Sequence, residues 1–163
     1  MVSLPVALPQ RFAGLGVLLL GLSWSFGILL ARHDVVAASG VPPAQAFGYI
    51  AAGGVGAVAA SWFGVGAVLF AMTRLLRARA PFWSVLWALA GALPPLWIAA
   101  PAAALVVAGS GGIALTAVVA LAGAAFLVLA ARGVAEVAGL SQARAAACLL
   151  LTLVFCASVL SLS

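Results

Sequence analysis

Apolar residues fill long blocks of this chain, and charged residues fall almost only between them. No charged side chain occurs from 35 to 73, and none occurs from 81 to 131. An uncharged apolar run of about 18 residues already has the length and character of a membrane span. The blocks predict five spans, near 12–30, 44–73, 82–108, 113–131 and 145–160. The expected fold class is all-α: a polytopic transmembrane helical bundle whose third span is kinked by proline. Residues 1–11 are expected as a short cytoplasmic tail, and 12–163 as the five-helix transmembrane domain.

The breaks between blocks carry their own signals. Gly40 with Pro42 and Pro43 makes the first turn, and proline suits the first turn of the next helix because N–H groups there lack partners anyway. Pro81 restarts the chain after the second span. Gly109, Ser110, Gly111 and Gly112 form a tight turn, and Arg132 to Arg144 reads as a short polar connection with Gly139 as a helix stop and Ser141 as an N-cap. Inside the third span lie Pro94, Pro95 and Pro101. Each removes a backbone donor and crowds the preceding turn, so a kink or break is expected and neighbouring helices must cover the freed carbonyls. The second span, at about 45 Å of helix, exceeds a hydrocarbon core of about 30 Å and is expected to tilt or protrude. Arg11 ahead of the first block and Val36-Ala37-Ala38 after it resemble a signal peptide, but the block has the length of a full span and is read as one.

Composition agrees with this pattern. Of 163 residues, 67% are hydrophobic and 6% charged. That is too few charges to cover a soluble domain. The seven basic residues are all Arg, and they fall at span ends, which excludes nucleic acid as the reason for the net charge of +5. With five spans, Arg11, Arg74, Arg77, Arg79, Arg132 and Arg144 share one side and only Arg32 lies on the other. The positive-inside rule then puts the N-terminus in the cytoplasm and the C-terminus outside. A re-entrant third span would invert the last two spans and remove most of that bias.

Candidate chemistry is sparse. Gly48, Ala52, Gly56, Ala60 and Gly64 recur every four residues along the second span. In lipid, helices associate by close backbone contact, and such a ladder offers a smooth groove for another helix, in this chain or another. Trp83 and Trp87 sit one turn apart just after the Arg74, Arg77 and Arg79 cluster and read with it as interface anchors. Trp24, Trp62 and Trp97 lie deeper and each needs a partner for its indole N–H. Arg132 and Glu136 are four apart and are expected to pair on one helix face. Cys148 and Cys156 sit about 12 Å apart along one helix, too far for a disulfide. His33 and Asp34 alone make neither a metal site nor a catalytic triad. No charge lies deep in a span, and there is no phosphate loop or zinc motif, so catalysis, metal and cofactor are not expected.

Two segments carry a family resemblance. Leu75-Leu76-Arg77-Ala78-Arg79-Ala80-Pro81-Phe82-Trp83-Ser84-Val85-Leu86 resembles the basic turn, aromatic and proline-bearing span of the Yip family. These are integral membrane proteins named for interacting with Ypt/Rab GTPases. Arg132-Gly133-Val134-Ala135-Glu136-Val137-Ala138-Gly139-Leu140-Ser141-Gln142-Ala143-Arg144-Ala145 is similar to that family's connection between spans four and five. The resemblance implies a five-span, non-enzymatic protein with a cytoplasmic N-terminus. The Arg-only, Ala- and Gly-rich composition suggests a short bacterial member in the cytoplasmic membrane. The expected role is an organising, assembly or accessory component that meets the lipid bilayer and other membrane proteins, or itself, through helix packing. The alternatives are a small transporter, channel or lipid-moving protein built on the broken third span, and an accessory subunit of a larger membrane complex.

Overall fold

The computed structural model describes residues 13–161. The expected tail at 1–11, Arg11 and the start of the first span at Phe12 lie outside them. The described residues are helices and short connections, with no strand. In order they are α1 (Ala13–Ala31), α2 (His33–Ala38), α3 (Pro43–Leu75), α4 (Phe82–Gly91), α5 (Pro94–Val107), α6 (Ile113–Ala138) and α7 (Gln142–Ser161). Four of these, α1, α3, α6 and α7, are long and apolar enough to cross a membrane, and the bent pair α4 and α5 makes a fifth if counted as one span. The chain is an all-helical integral membrane protein.

Helix ends follow local chemistry. Gly109 (φ 81°) and Gly139 (φ 64°) take the left-handed conformation after α5 and α6, and Gly40 (φ 69°) does so after α2. The following N–H groups turn back to free carbonyls: Ser110 to Leu105 and Leu140 to Ala135, both at 3.0 Å. Glycine suits this cap because it has no Cβ to clash. The end of α3 has the same geometry, with Ala78 N–H on the Thr73 carbonyl at 3.1 Å, but its left-handed residue is Arg77 (φ 60°). At the start of α7, Arg144 N–H donates to Ser141 Oγ at 3.4 Å.

The structure differs from the sequence reading at two connections. The turn after Arg32 contains the extra helix α2, formed by Val35, Val36, Ala37 and Ala38 and closed by Ser39 Oγ donating to the Val36 carbonyl at 2.7 Å. The polar connection read from Arg132 is mostly helix: α6 continues to Ala138 and only Gly139–Ser141 is loop. Alanine and valine at 134, 135, 137 and 138 carry the helix on, and the charges merely decorate its exposed side.

The residues cluster into two compact units. One holds 13–14, 61–92 and 127–161 of the described chain, and the other holds 15–60 and 93–126. In the first unit α4 runs antiparallel to the second half of α3. Phe70 meets Phe82 at 5.6 Å between ring centroids, and Trp62 meets Trp87 at 5.8 Å. Gly66 lies against Leu86, with no room for a Cβ, and Gly133 brings α6 against Ala88. Leu69, Val85, Leu86, Ala130, Val134 and Ala145 are buried there. In the second unit α1 runs antiparallel to the first half of α3, since Gly21 abuts Val55 while Ser25 reaches Ile50. In that same unit α1 runs parallel to α5: Ser23 meets Trp97, and Gly27 meets Pro101 and Ala104.

Candidate helix-association site

The α3 helix is 33 residues long, about 50 Å, and two different faces of it have different fates. Facing α1, Gly21 and Gly54 remove the side chains that would keep the backbones apart. A Cβ on Gly21 would come within 2.6 Å of Val55 Cα, and one on Gly54 would strike Ser25 Oγ. The one Ser25 hydroxyl proton is within reach of two carbonyls, Gly21 of its own helix at 2.7 Å and Ile50 of α3 at 3.1 Å. This is the close packing by small residues that lipid surroundings favour, but it uses a row the sequence reading did not choose.

The predicted ladder lies on another face. Gly48, Ala52, Gly56, Ala60 and Gly64 are all exposed. A Cβ built on Gly48, Gly56 or Gly64 would meet nothing within 4 Å. Gly54 stands two residues from both Ala52 and Gly56, about 200° around the helix. Packing within the chain therefore leaves the ladder side open. Among the described residues no helix lies against this smooth, side-chain-poor strip.

Below the ladder, aromatic rings gather around the α3–α4 hairpin. Trp83 and Trp87 stack at 6.0 Å, and Trp83 also meets Phe63 at 6.2 Å and Phe82 at 5.6 Å. Trp62 Nε1 donates to the Leu86 carbonyl at 3.2 Å, so this indole has the partner its depth requires. Trp83 is 54% exposed. Arg74 lies over the Phe70 ring at 5.3 Å and donates through Nη1 to the Ala78 carbonyl at 3.3 Å. Arg77 and Arg79 are exposed.

The three prolines divide their roles. Pro94 and Pro95 open α5, after a break at Ala92 and Leu93. Pro101 lies inside α5, which continues through it to Val107. In an unbroken helix the N–H of residue 101 would bond the Trp97 carbonyl. Proline has none, and Ser23 Oγ of α1 donates to that carbonyl instead. The sequence marks Trp97 as the residue whose carbonyl is freed, but cannot say which hydroxyl reaches it. Trp97 Nε1 is buried without a partner. Beside this helix is a small apolar groove of about 160 Å³ lined by Leu20, Trp24, Leu96, Ala99, Ala100, Ala103 and Val119.

The pair expected at Arg132 and Glu136 does not form. Among the described residues the one ion pair is His33 Nε2 to Asp34 Oδ1 at 2.9 Å, with both side chains strongly exposed. Arg132 and Glu136 are both exposed, where such a pair is worth only about 0.3–0.5 kcal/mol, and the basic residue precedes the acidic one, the weaker order on a helix. Arg144 is exposed in the first turn of α7. Cys148 and Cys156 are free thiols. Among the described residues no three His, Cys, Asp or Glu side chains gather closely enough to hold a metal ion. No protein-family model, characterised protein or solved structure matches the chain.

Proposed function

We propose that this protein is a non-enzymatic integral membrane component of the Yip type that works by helix association within the bilayer, organising, assembling or stabilising another membrane protein or a second copy of itself. The observation that carries this reading is the open ladder on α3. Gly48, Ala52, Gly56, Ala60 and Gly64 are exposed along a helix that the chain packs through a different row. Small residues lower the cost of close helix approach wherever they occur, and among the described residues no helix uses these. The Yip resemblance itself rests on the sequence segments at 75–86 and 132–145.

The same reading places the chain in a bacterial cytoplasmic membrane with its N-terminus inside, its C-terminus outside and five crossings. Four long apolar helices, with the bent pair α4 and α5 counted as one span, allow that count. Arg74, Arg77 and Arg79 then share a side with Arg132 and Arg144, as the positive-inside rule favours.

A second reading, a small lipid-moving protein, draws on the groove beside α5. Its wholly apolar lining suits a hydrocarbon segment rather than an ion or polar solute. A role as accessory subunit of a larger complex is one form of the first reading, with the partner supplied by that complex. The deciding experiment is purification in mild detergent of the wild type and of Gly56→Leu with Ala60→Leu. Association predicts loss of the co-purifying partner or of the homo-oligomer, with the monomer still folded. Unchanged recovery of the same companions by the double variant would defeat it.

A further inference from the structure

The turn between α3 and α4 combines features that its role in joining two helices does not require. Arg77 occupies a left-handed position, where the matching ends of α2, α5 and α6 use Gly40, Gly109 and Gly139. A non-glycine side chain there carries backbone strain, which persists where another role maintains it. Arg79 is exposed two residues on. The neighbouring Arg74 is already engaged by the Ala78 carbonyl and the Phe70 ring, so it braces the turn. Arg77 and Arg79 have no carboxylate partner among the described residues.

The apolar neighbours identify the surroundings. Leu75 is 76% exposed and Leu76 is 41% exposed, directly beside these arginines. Trp83, 54% exposed, is the second residue of α4, with its ring stacked on Trp87. Exposed leucines, a half-exposed indole and unpaired guanidinium groups within nine residues suit the boundary between acyl chains and headgroups. The described part of the unit that holds this turn carries Arg74, Arg77, Arg79, Arg132 and Arg144 against Glu136 alone. The charge that would complement it is negative, and the exposed apolar side chains favour a lipid over a soluble anion.

We propose that the α3–α4 turn binds the headgroup of an anionic phospholipid, with Arg77 and Arg79 holding the phosphodiester and Trp83, Leu75 and Leu76 bedding into the adjoining acyl region. The guanidinium fork presents paired donors that match phosphate oxygens. A juxtamembrane arginine near an anionic leaflet strengthens binding by about fivefold, so losing two costs about 25-fold. The proposal requires that the chain span a membrane, and it is independent of the ladder on α3.

The test uses the full chain in phosphatidylcholine nanodiscs into which phosphatidylglycerol is titrated, read as the rise in melting temperature. Wild type should show a saturable rise at a low phosphatidylglycerol fraction. Arg77→Gly with Arg79→Gln should lose it, the half-saturation point moving up by about 25-fold. Glycine at 77 keeps the left-handed turn, so loss of folding does not confuse the result. Arg132→Gln with Arg144→Gln removes the same charge elsewhere and should keep a saturable rise, its half-saturation point moving clearly less than in the turn variant. Equal loss in both double variants would reduce the effect to bulk charge and overturn the site. An equal rise with inorganic phosphate in pure phosphatidylcholine discs would overturn the lipid as its ligand.

Discussion

Replacing Ser23 with alanine deletes the hydroxyl that donates to the Trp97 carbonyl. That carbonyl has no donor within its own helix because residue 101 is proline. The substitution should therefore leave a carbonyl unsatisfied in an apolar surrounding. Interhelical hydrogen bonds in membrane bundles are worth about 0.6 kcal/mol on average and up to about 1.7 kcal/mol. The upper part of that range is expected here, because hydrocarbon around a span offers no substitute donor. Pro101→Ala restores an N–H that the same carbonyl can accept from its own helix. In that background Ser23→Ala should cost little. A double-mutant cycle, read by reversible unfolding in mixed micelles, should give a coupling of about 1 kcal/mol between Ser23 and Pro101. Equal destabilisation by Ser23→Ala with and without Pro101 would refute the idea that the serine replaces the missing backbone donor.

Two further outcomes follow from the packing. Gly21→Ala and Gly27→Ala should each destabilise by roughly 1–3 kcal/mol, because the added carbon would meet Val55 Cα or Pro101 Cα at 2.6 Å. Gly48→Ala, with nothing within 4 Å, should be neutral or stabilising by up to about 1 kcal/mol; unfolding midpoints of the three variants separate the cases. Arg77→Gly should raise stability by up to about 1 kcal/mol, through relief of the left-handed strain at φ 60°. The same unfolding assay checks it, and a fall in stability would show that the arginine side chain outweighs the strain.

The sequence made the long helices legible because their uncharged runs leave no other stable state for the backbone in a membrane. It also located the breaks at Gly109, Gly139 and Pro94, since each residue constrains its own backbone whatever surrounds it. It could not choose the face by which α3 packs. In a helix rich in Gly and Ala several small rows coexist, and the choice of Gly54 over Gly56 depends on Gly21 and Ser25 of another helix. The pairing of Trp62 with Trp87 was hidden for the same reason: it needs the register between α3 and α4. Arg132 and Glu136 were misread because spacing permits a pair without making it favourable in an exposed place. The short helix α2 was not legible because six residues are too few to set a helical period, and Gly40 with the two prolines after it signals only the turn.

The open side of α3 should be occupied in the membrane. The most direct measurement is disulfide or bifunctional cross-linking in intact membranes, from single cysteines placed at Ala60 or Ala46 in a chain whose Cys148 and Cys156 are alanine. Ala60→Cys should give a discrete cross-linked species to a second copy or to one partner, and Ala46→Cys, buried in the same helix, should give none. No adduct from Ala60→Cys, or the same adducts from both positions, would contradict it.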